Sequence, residues 1–193
     1  MKKLPVLLCI FLLSACDVPL DNLVQRNGIR YEINSQTPFT GVATEYYENG
    51  QLEEKLNYTN GRRHGLFYRY YPNGQLREQE AYWDGEEHGL YETYHENGQL
   101  EKKSNYKDGE EHGFYETYHE NGQLFKKGNY KDGEKQGLFE SYHENGQLWY
   151  KRNYKDGVEH GLSYMYEEDG RLLRYSFPAC HQNGKEVDMS KCK

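Results

Sequence analysis

The chain has 193 residues, with 24 basic and 31 acidic side chains, a net charge of −7, and a hydrophobic fraction of only 35% that includes 20 tyrosines. So acidic a surface repels phosphate backbones and anionic headgroups, which argues against nucleic acid as a partner. The thin, ring-rich apolar content excludes a large aliphatic core and points to packing by tyrosine, with phenol oxygens reaching water at its edge.

The first segment is expected to be a targeting element. Lys2 and Lys3 give a charged start, Leu4–Leu13 is an apolar run broken by Pro5, and Ser14-Ala15 are small. The run is too short to span a bilayer and reads as a secretory signal over residues 1–15. Leu13-Ser14-Ala15-Cys16 resembles a bacterial lipobox, so Cys16 is expected to be acylated and to become the first mature residue. Several acyl chains on one cysteine satisfy the need for more than one lipid signal. The expected location is therefore the bacterial cell envelope, attached to the membrane through Cys16 and facing the periplasm or exterior. Asp17 resembles an inner-membrane retention signal. Without Lys2 and Lys3 the charge is −9, and it is uneven: residues 16–120 hold 10 basic and 20 acidic side chains, residues 121–193 hold 12 and 11.

Residues 16–40 read as anchor, linker and N-terminal cap, the cap being the stretch NGIRYEINSQTPFTG that runs into the first repeat glycine. From Gly41 to residue 176 a 24-residue period governs the chain. Gly41, Gly65, Gly89, Gly113, Gly137 and Gly161 open the units, and YHENGQL recurs word for word at Tyr94, Tyr118 and Tyr142. Each unit holds two β-prone runs divided by Asn-Gly and Asp-Gly, whose residues supply the positive φ of tight turns. The fold class is accordingly all-β: an elongated antiparallel meander of 24-residue β-hairpin repeats, about 48 Å long for ten strands. Positions are counted from each leading glycine. A three-residue turn at Asn-Gly pairs position 6 with position 12, and places positions 2, 6, 12 and 18 on one core face. Tyr94, Tyr118 and Tyr142, at position 6, are thus expected in the core. Residues 177–193 read as a C-terminal cap, where Cys180 and Cys192 are the only thiols left after processing and are expected to form a disulfide.

Units of the form Tyr-x-x-Gly-x-x-His-Gly, as at Tyr106–Gly113, with a downstream Asn-Gly and the opening Pro38–Gly41, resemble the MORN-repeat variant family, often labelled YwqK-type antitoxin. The resemblance covers about residues 27–176. It implies a MORN-like repeat fold and a role in restraining a toxin, which an exported chain would meet in the envelope.

The candidate functional residues follow from the repeat. Positions 3, 5 and 7, opposite the expected core, give Tyr91, Thr93 and His95; Tyr115, Thr117 and His119; Phe139, Ser141 and His143. This ladder of ring, hydroxyl and imidazole suits protein partners or sugar rings. No metal is expected, since equivalent histidines lie two strands apart, about 9.6 Å, too far to converge on one ion. No catalysis and no cofactor are expected either: paired acids such as Glu86-Glu87 and Glu110-Glu111 repeat in turns, and no nucleophile motif or phosphate loop is present. The expected function is a non-enzymatic, envelope-anchored interaction protein of antitoxin or immunity type, with a glycan-binding lipoprotein or a structural spacer as alternatives. For the anchor, Cys16→Ala is expected to abolish acyl labelling and leave unprocessed or soluble protein. Unchanged cleavage and membrane fractionation of that variant would refute it.

Overall fold

The computed structural model describes residues 17–173 and 179–192. The expected signal (residues 1–15), the lipidation site Cys16 and the break in the 24-residue period lie outside the described residues. Five hairpins follow in chain order: Gly41–Tyr46 with Leu52–Thr59, Gly65–Tyr70 with Leu76–Trp83, Glu86–Tyr94 with Leu100–Lys107, Glu110–Tyr118 with Leu124–Lys131, and Glu134–Tyr142 with Leu148–Lys155. Each strand pairs antiparallel with the next, so the repeats make one long meander within a 16-stranded sheet.

The two turns of each unit are built differently. At Asp-Gly both residues take positive φ, as at Asp108 (52°) and Gly109 (81°), the geometry of a two-residue type I′ hairpin. At the Asn-Gly that precedes Gln-Leu only the glycine does, as at Gly98 (82°), while Asn60-Gly61 takes the Asp-Gly form. There the Gly98 N–H reaches the His95 carbonyl at 2.8 Å and the His95 N–H reaches the Gln99 carbonyl at 2.8 Å. This is the three-residue turn with a glycine bulge, and it pairs Tyr94 with Leu100 and Tyr118 with Leu124.

The expected faces do not survive the next step of the ladder. After the 6–12 pair the register slips, so that Thr93 pairs with Lys102 and Gly89 with Tyr106. Position 13 is a β-bulge, and a one-residue shift moves everything beyond it to the other side. Positions 2, 6 and 12 therefore share one face, while position 18 joins positions 3, 5, 14 and 16 on the other. Side-chain packing follows this second face. Tyr91 packs edge-on near Tyr106 (5.6 Å between centroids), Tyr115 lies tilted near Tyr130 (5.3 Å), and Phe139 packs edge-on near both Tyr130 (5.5 Å) and Tyr154 (5.2 Å). Phe67 and Phe139 at position 3 are buried, whereas Leu66 and Leu138 at position 2 are exposed. Tyr94, Tyr118 and Tyr142 lie on the outer face, each donating its hydroxyl to the position-4 glutamate of its own strand: Glu92 (2.9 Å), Glu116 (2.8 Å) and Glu140 (2.9 Å). Lys103 and Lys127 pair with Glu92 and Glu140 there at 3.0 Å each.

The ends are closed unequally. At the N-terminus a hairpin, Leu23–Arg26 with Ile29–Glu32, forms its own two-stranded sheet, and Val18–Pro19 adds a parallel edge to Gly41–Tyr46. Leu23 and Phe39 join Ala43, Leu56, Tyr58 and Phe67 in a cluster of buried apolar residues, so the cap begins earlier than residue 27. At the C-terminus Gly161–Met165 pairs with Ala179–Gln182, which pairs with Lys185–Val187. Cys180 is buried there and bonded to Cys192, with an S–S distance of 2.01 Å.

Between the caps the packed face interleaves large and small side chains. Position 16 faces position 3 on both neighbouring strands: Ser104 lies opposite Tyr91 and Tyr115, and Gly128 opposite Tyr115. A Cβ on Gly128 would overlap the Phe139 ring. Gly128→Ala is therefore expected to cost about 1–3 kcal/mol by overpacking. Ser104→Ala, at the equivalent place, removes a buried hydroxyl that has no hydrogen-bond partner and is expected to be neutral or stabilising. Urea denaturation of both variants checks the pair, and a silent Gly128→Ala would refute the packing.

Candidate functional site

The sequence singled out three ring, hydroxyl and imidazole triplets as one surface. The fold divides them. Tyr91, Thr93, Tyr115, Thr117, Phe139 and Ser141 do share a face, but it is the packed face and not the one opposite the core. The reason is the bulge at position 13, which sends the tyrosines of position 18 to their side.

The three histidines leave the ladder for the rim of the sheet. Their Nε2 atoms lie 3.3, 3.0 and 3.1 Å from the carbonyl oxygens of Tyr118, Tyr142 and Tyr166, one repeat ahead. A carbonyl only accepts, so Nε2 carries the proton. Tyr47 and Tyr71, at the same position in the first two units, donate their hydroxyls to the Tyr70 and Tyr94 carbonyls at 2.7 and 2.8 Å. The histidines that precede the leading glycines also reach forward. Asp84 N–H donates to His64 Nδ1 at 3.5 Å, His112 Nδ1 lies 3.1 Å from Asp132 Oδ1, and Gln136 accepts from Asp156 N–H at 2.9 Å in the same place. Glutamine makes the turn contact that histidine makes elsewhere. Among the described residues no three His, Cys, Asp or Glu side chains converge as a metal site would require.

What remains on the packed face is a strip that changes character along the repeats. In the second unit it is acidic and internally paired. Arg69 bridges Glu54 (2.7 Å) and Glu78 (2.8 Å), Tyr91 donates to Glu78 (2.9 Å), Tyr82 donates to Glu80, and Arg63 donates to the Tyr82 oxygen at 3.0 Å. Glu80 is buried, 8% exposed. Burial above all, against a lowering by the Tyr82 hydroxyl and with the Glu78 and Glu87 charges adding to it, pushes its carboxyl up to about 7.

In the third to fifth units the strip opens into two adjoining grooves. One, of about 470 Å³, runs from Tyr91 and Thr93 past Thr117 to Phe125 and Lys126. The other, of about 410 Å³, continues from Phe125 and Lys126 to Trp149, Tyr150 and Tyr154. Phe125 and Trp149 occupy position 13, so the bulge that resets the faces also delivers a ring to each groove. Their rings lie 4.8 Å from His119 and 5.5 Å from His143. Sequence reasoning passed over position 13 because it holds Glu53, Arg77, Glu101, Phe125 and Trp149 in turn, with no common residue type. A third groove, about 510 Å³, lies at the N-terminal end between the cap hairpin and the first units, and is lined in part by Arg62, which already pairs with Asp84 at 3.3 Å.

Fold and face together define a repeat protein of β-hairpins with variable side chains presented along one side. The MORN repeat variant family model matches residues 39–60, 63–84, 87–108, 111–132 and 135–156, more than half of the chain, and the chain belongs to that family. Membership points to a repeat protein of protein or membrane interaction and to no narrower activity. No curated protein matches the chain. No helix among the described residues is long and apolar enough to cross a membrane.

The titration of Glu80 gives a test of the packed face. In the unfolded chain the carboxyl ionises near 4.5, and in the folded chain near 7, so the folded form holds the extra proton between those values. Its contribution to stability is full below pH 4.5 and is lost as pH rises to about 7. Glu80→Gln keeps an acceptor for Tyr82 and is expected to remove that slope and raise the melting temperature at pH 7.5. Parallel melting curves for wild type and variant across pH 4.5–7.5 would refute the assignment.

Proposed function

We propose that the protein is a non-enzymatic, lipid-anchored envelope protein that binds a protein partner along the packed face of its central repeats. The observation that carries this reading is the pair of adjoining grooves, which share Phe125 and Lys126 and run across three units. Their walls carry the rings of Tyr91, Tyr115, Phe125, Trp149 and Tyr150, and aromatic side chains dominate protein recognition. The outer face, by contrast, repeats the same Tyr, Glu and Lys contacts and is internally satisfied. A partner of the toxin kind, met outside the cytoplasm, fits a chain exported on an acyl anchor at Cys16. A sugar chain is the second reading, because Phe125, Trp149 and Tyr150 offer ring faces within one groove.

Photocrosslinking in intact cells separates these readings. Phe114 and Tyr115 are neighbours on one strand whose side chains project to opposite faces. A benzophenone side chain at Tyr115 is expected to give a discrete protein adduct, identified by mass spectrometry, and the same group at Phe114 none. Equal adducts from both positions would refute the face. A polysaccharide adduct without protein at Tyr115 would favour the sugar reading.

A further inference from the structure

The cations of the packed face are not alike. Arg69 has Glu54 and Glu78, Lys102 has Glu111 at 2.9 Å, Arg152 has Glu159, and Arg63 has the Tyr82 hydroxyl. Lys126 and Lys135 have no carboxylate within ion-pair distance among the described residues. Both line the second groove. Lys126 lies between two hydroxyls, Thr117 on one neighbouring strand and Ser141 on the other. The Thr117 oxygen is buried and has no hydrogen-bond partner. Lys135 lies over two rings, 5.4 Å from the centroid of Phe139 and 4.9 Å from that of Tyr154. Burial, with the Lys135 charge added, holds the Lys126 ammonium below the usual lysine range, as for a cation without a counter-ion.

Resting on the protein-binding reading, we propose that the Lys126–Lys135 groove takes an extended, carboxylate-bearing segment of the partner, its acids meeting the two ammonium groups and its apolar side chains meeting the rings of Phe125 and Trp149. Charge complementarity sets the sign of the occupant. Geometry sets its form: from the strand of Tyr91 to that of Tyr154 the two grooves cross six successive strands, about 24 Å at about 4.8 Å each. That matches about seven extended residues at about 3.4 Å, and a small free anion would fill only one end. A long polyanion or an anionic bilayer is disfavoured, because Glu101 flanks the lysines on one side and Glu159 on the other, on a chain of net charge −7. The window of positive charge is short and suits one or two carboxylates.

The test is selection from a library of random heptapeptides on the folded protein, followed by fluorescence anisotropy with the best binder. Selected sequences are expected to be enriched in Asp and Glu, and affinity is expected to fall at least tenfold in the double variant Lys126→Gln, Lys135→Gln. Neither lysine holds an ion pair, so the double variant is expected to stay folded and to lose only the ammonium–ring contacts with Phe125, Phe139 and Tyr154, a small drop in melting temperature that circular dichroism checks. Lys126→Arg with Lys135→Arg is expected to retain binding and guards against a folding artefact. Binders without acidic enrichment, or equal affinity for the Gln variant, would overturn the carboxylate assignment while leaving the protein-binding reading standing. Failure to select any peptide overturns the proposal, and lysine-dependent binding of an oligogalacturonate instead would overturn the protein-binding reading with it.

Discussion

The structure depends on hydrogen bonds that run from the Asn-Gly turn of one repeat to the backbone of the next. Asn49, Asn97, Asn121 and Asn145 each donate their side-chain amide to a carbonyl one repeat ahead, those of Pro72, Glu120, Glu144 and Glu168, at 2.8–3.0 Å. The same asparagine accepts from the N–H two residues on, as Asn121 does from Gln123 at 2.9 Å. One side chain thus closes its own turn and ties it to the following turn. The ring at position 7 adds a second tie from the same turn. At the opposite edge the Asp-Gly turn is held by its backbone, the Gly109 N–H meeting the Glu87 carbonyl and the Gly133 N–H the Glu111 carbonyl at 3.0 Å each. A lone hairpin is marginal in water. Stitched at both rims, each one is ordered by its neighbours, and stability becomes a property of the array. The recurrence of YHENGQL follows, because its tyrosine, histidine, asparagine and glycine each have an assigned contact or a required backbone angle.

A sheet held at its rims needs less from its faces. Among the described residues no second layer covers the central repeats, and the buried aliphatic residues gather at the N-terminal cap. The middle is packed instead by rings laid against small residues, Phe139 over Gly128 being the tightest case, and by lysines over rings, such as Lys102 near Tyr91, Tyr106 and Tyr115 at 4.9–5.7 Å. Such packing stabilises while leaving polar tips and groove walls open to solvent. The face that holds the strands together is for that reason also the face with room for a partner.

Much of this was legible in the sequence. The glycine lattice gave the period, and Asn-Gly against Asp-Gly distinguished the two turns, including the three-residue turn that pairs positions 6 and 12. Faces were misread because Leu at positions 2 and 12 carries the usual sign of a core, and in a one-layer sheet hydrophobicity does not tell the two sides apart. A usable signal was present. Glu at position 4 and Lys at position 15 recur in opposite sign through the third to fifth units, as Glu92 with Lys103, Glu116 with Lys127 and Glu140 with Lys151. Opposite charges directly across a ladder favour pairing, and a 4–15 pair is one residue out of step with a 6–12 pair. That mismatch encodes the bulge. The N-terminal extension from Val18 left no such mark, since its parallel edge pairing repeats nothing.

The distribution of sameness and difference then separates support from recognition. Positions 7, 9 and 10 along the rim, and 4, 6 and 15 on the outer face, are nearly invariant through the central units because each serves an equivalent turn or contact from unit to unit. Position 14, at the centre of the packed face, runs Glu54, Glu78, Lys102, Lys126, Tyr150. Nothing in the rim ties requires that progression, since a backbone carbonyl is the same acceptor whatever side chain it belongs to. The strip turns from acid to base to ring as the whole chain turns from −10 over residues 16–120 to +1 over residues 121–193. A surface selected only for strand propensity would tolerate either sign in any unit. An ordered change of sign along position 14, at the centre of the face that carries the grooves, gives that face a direction.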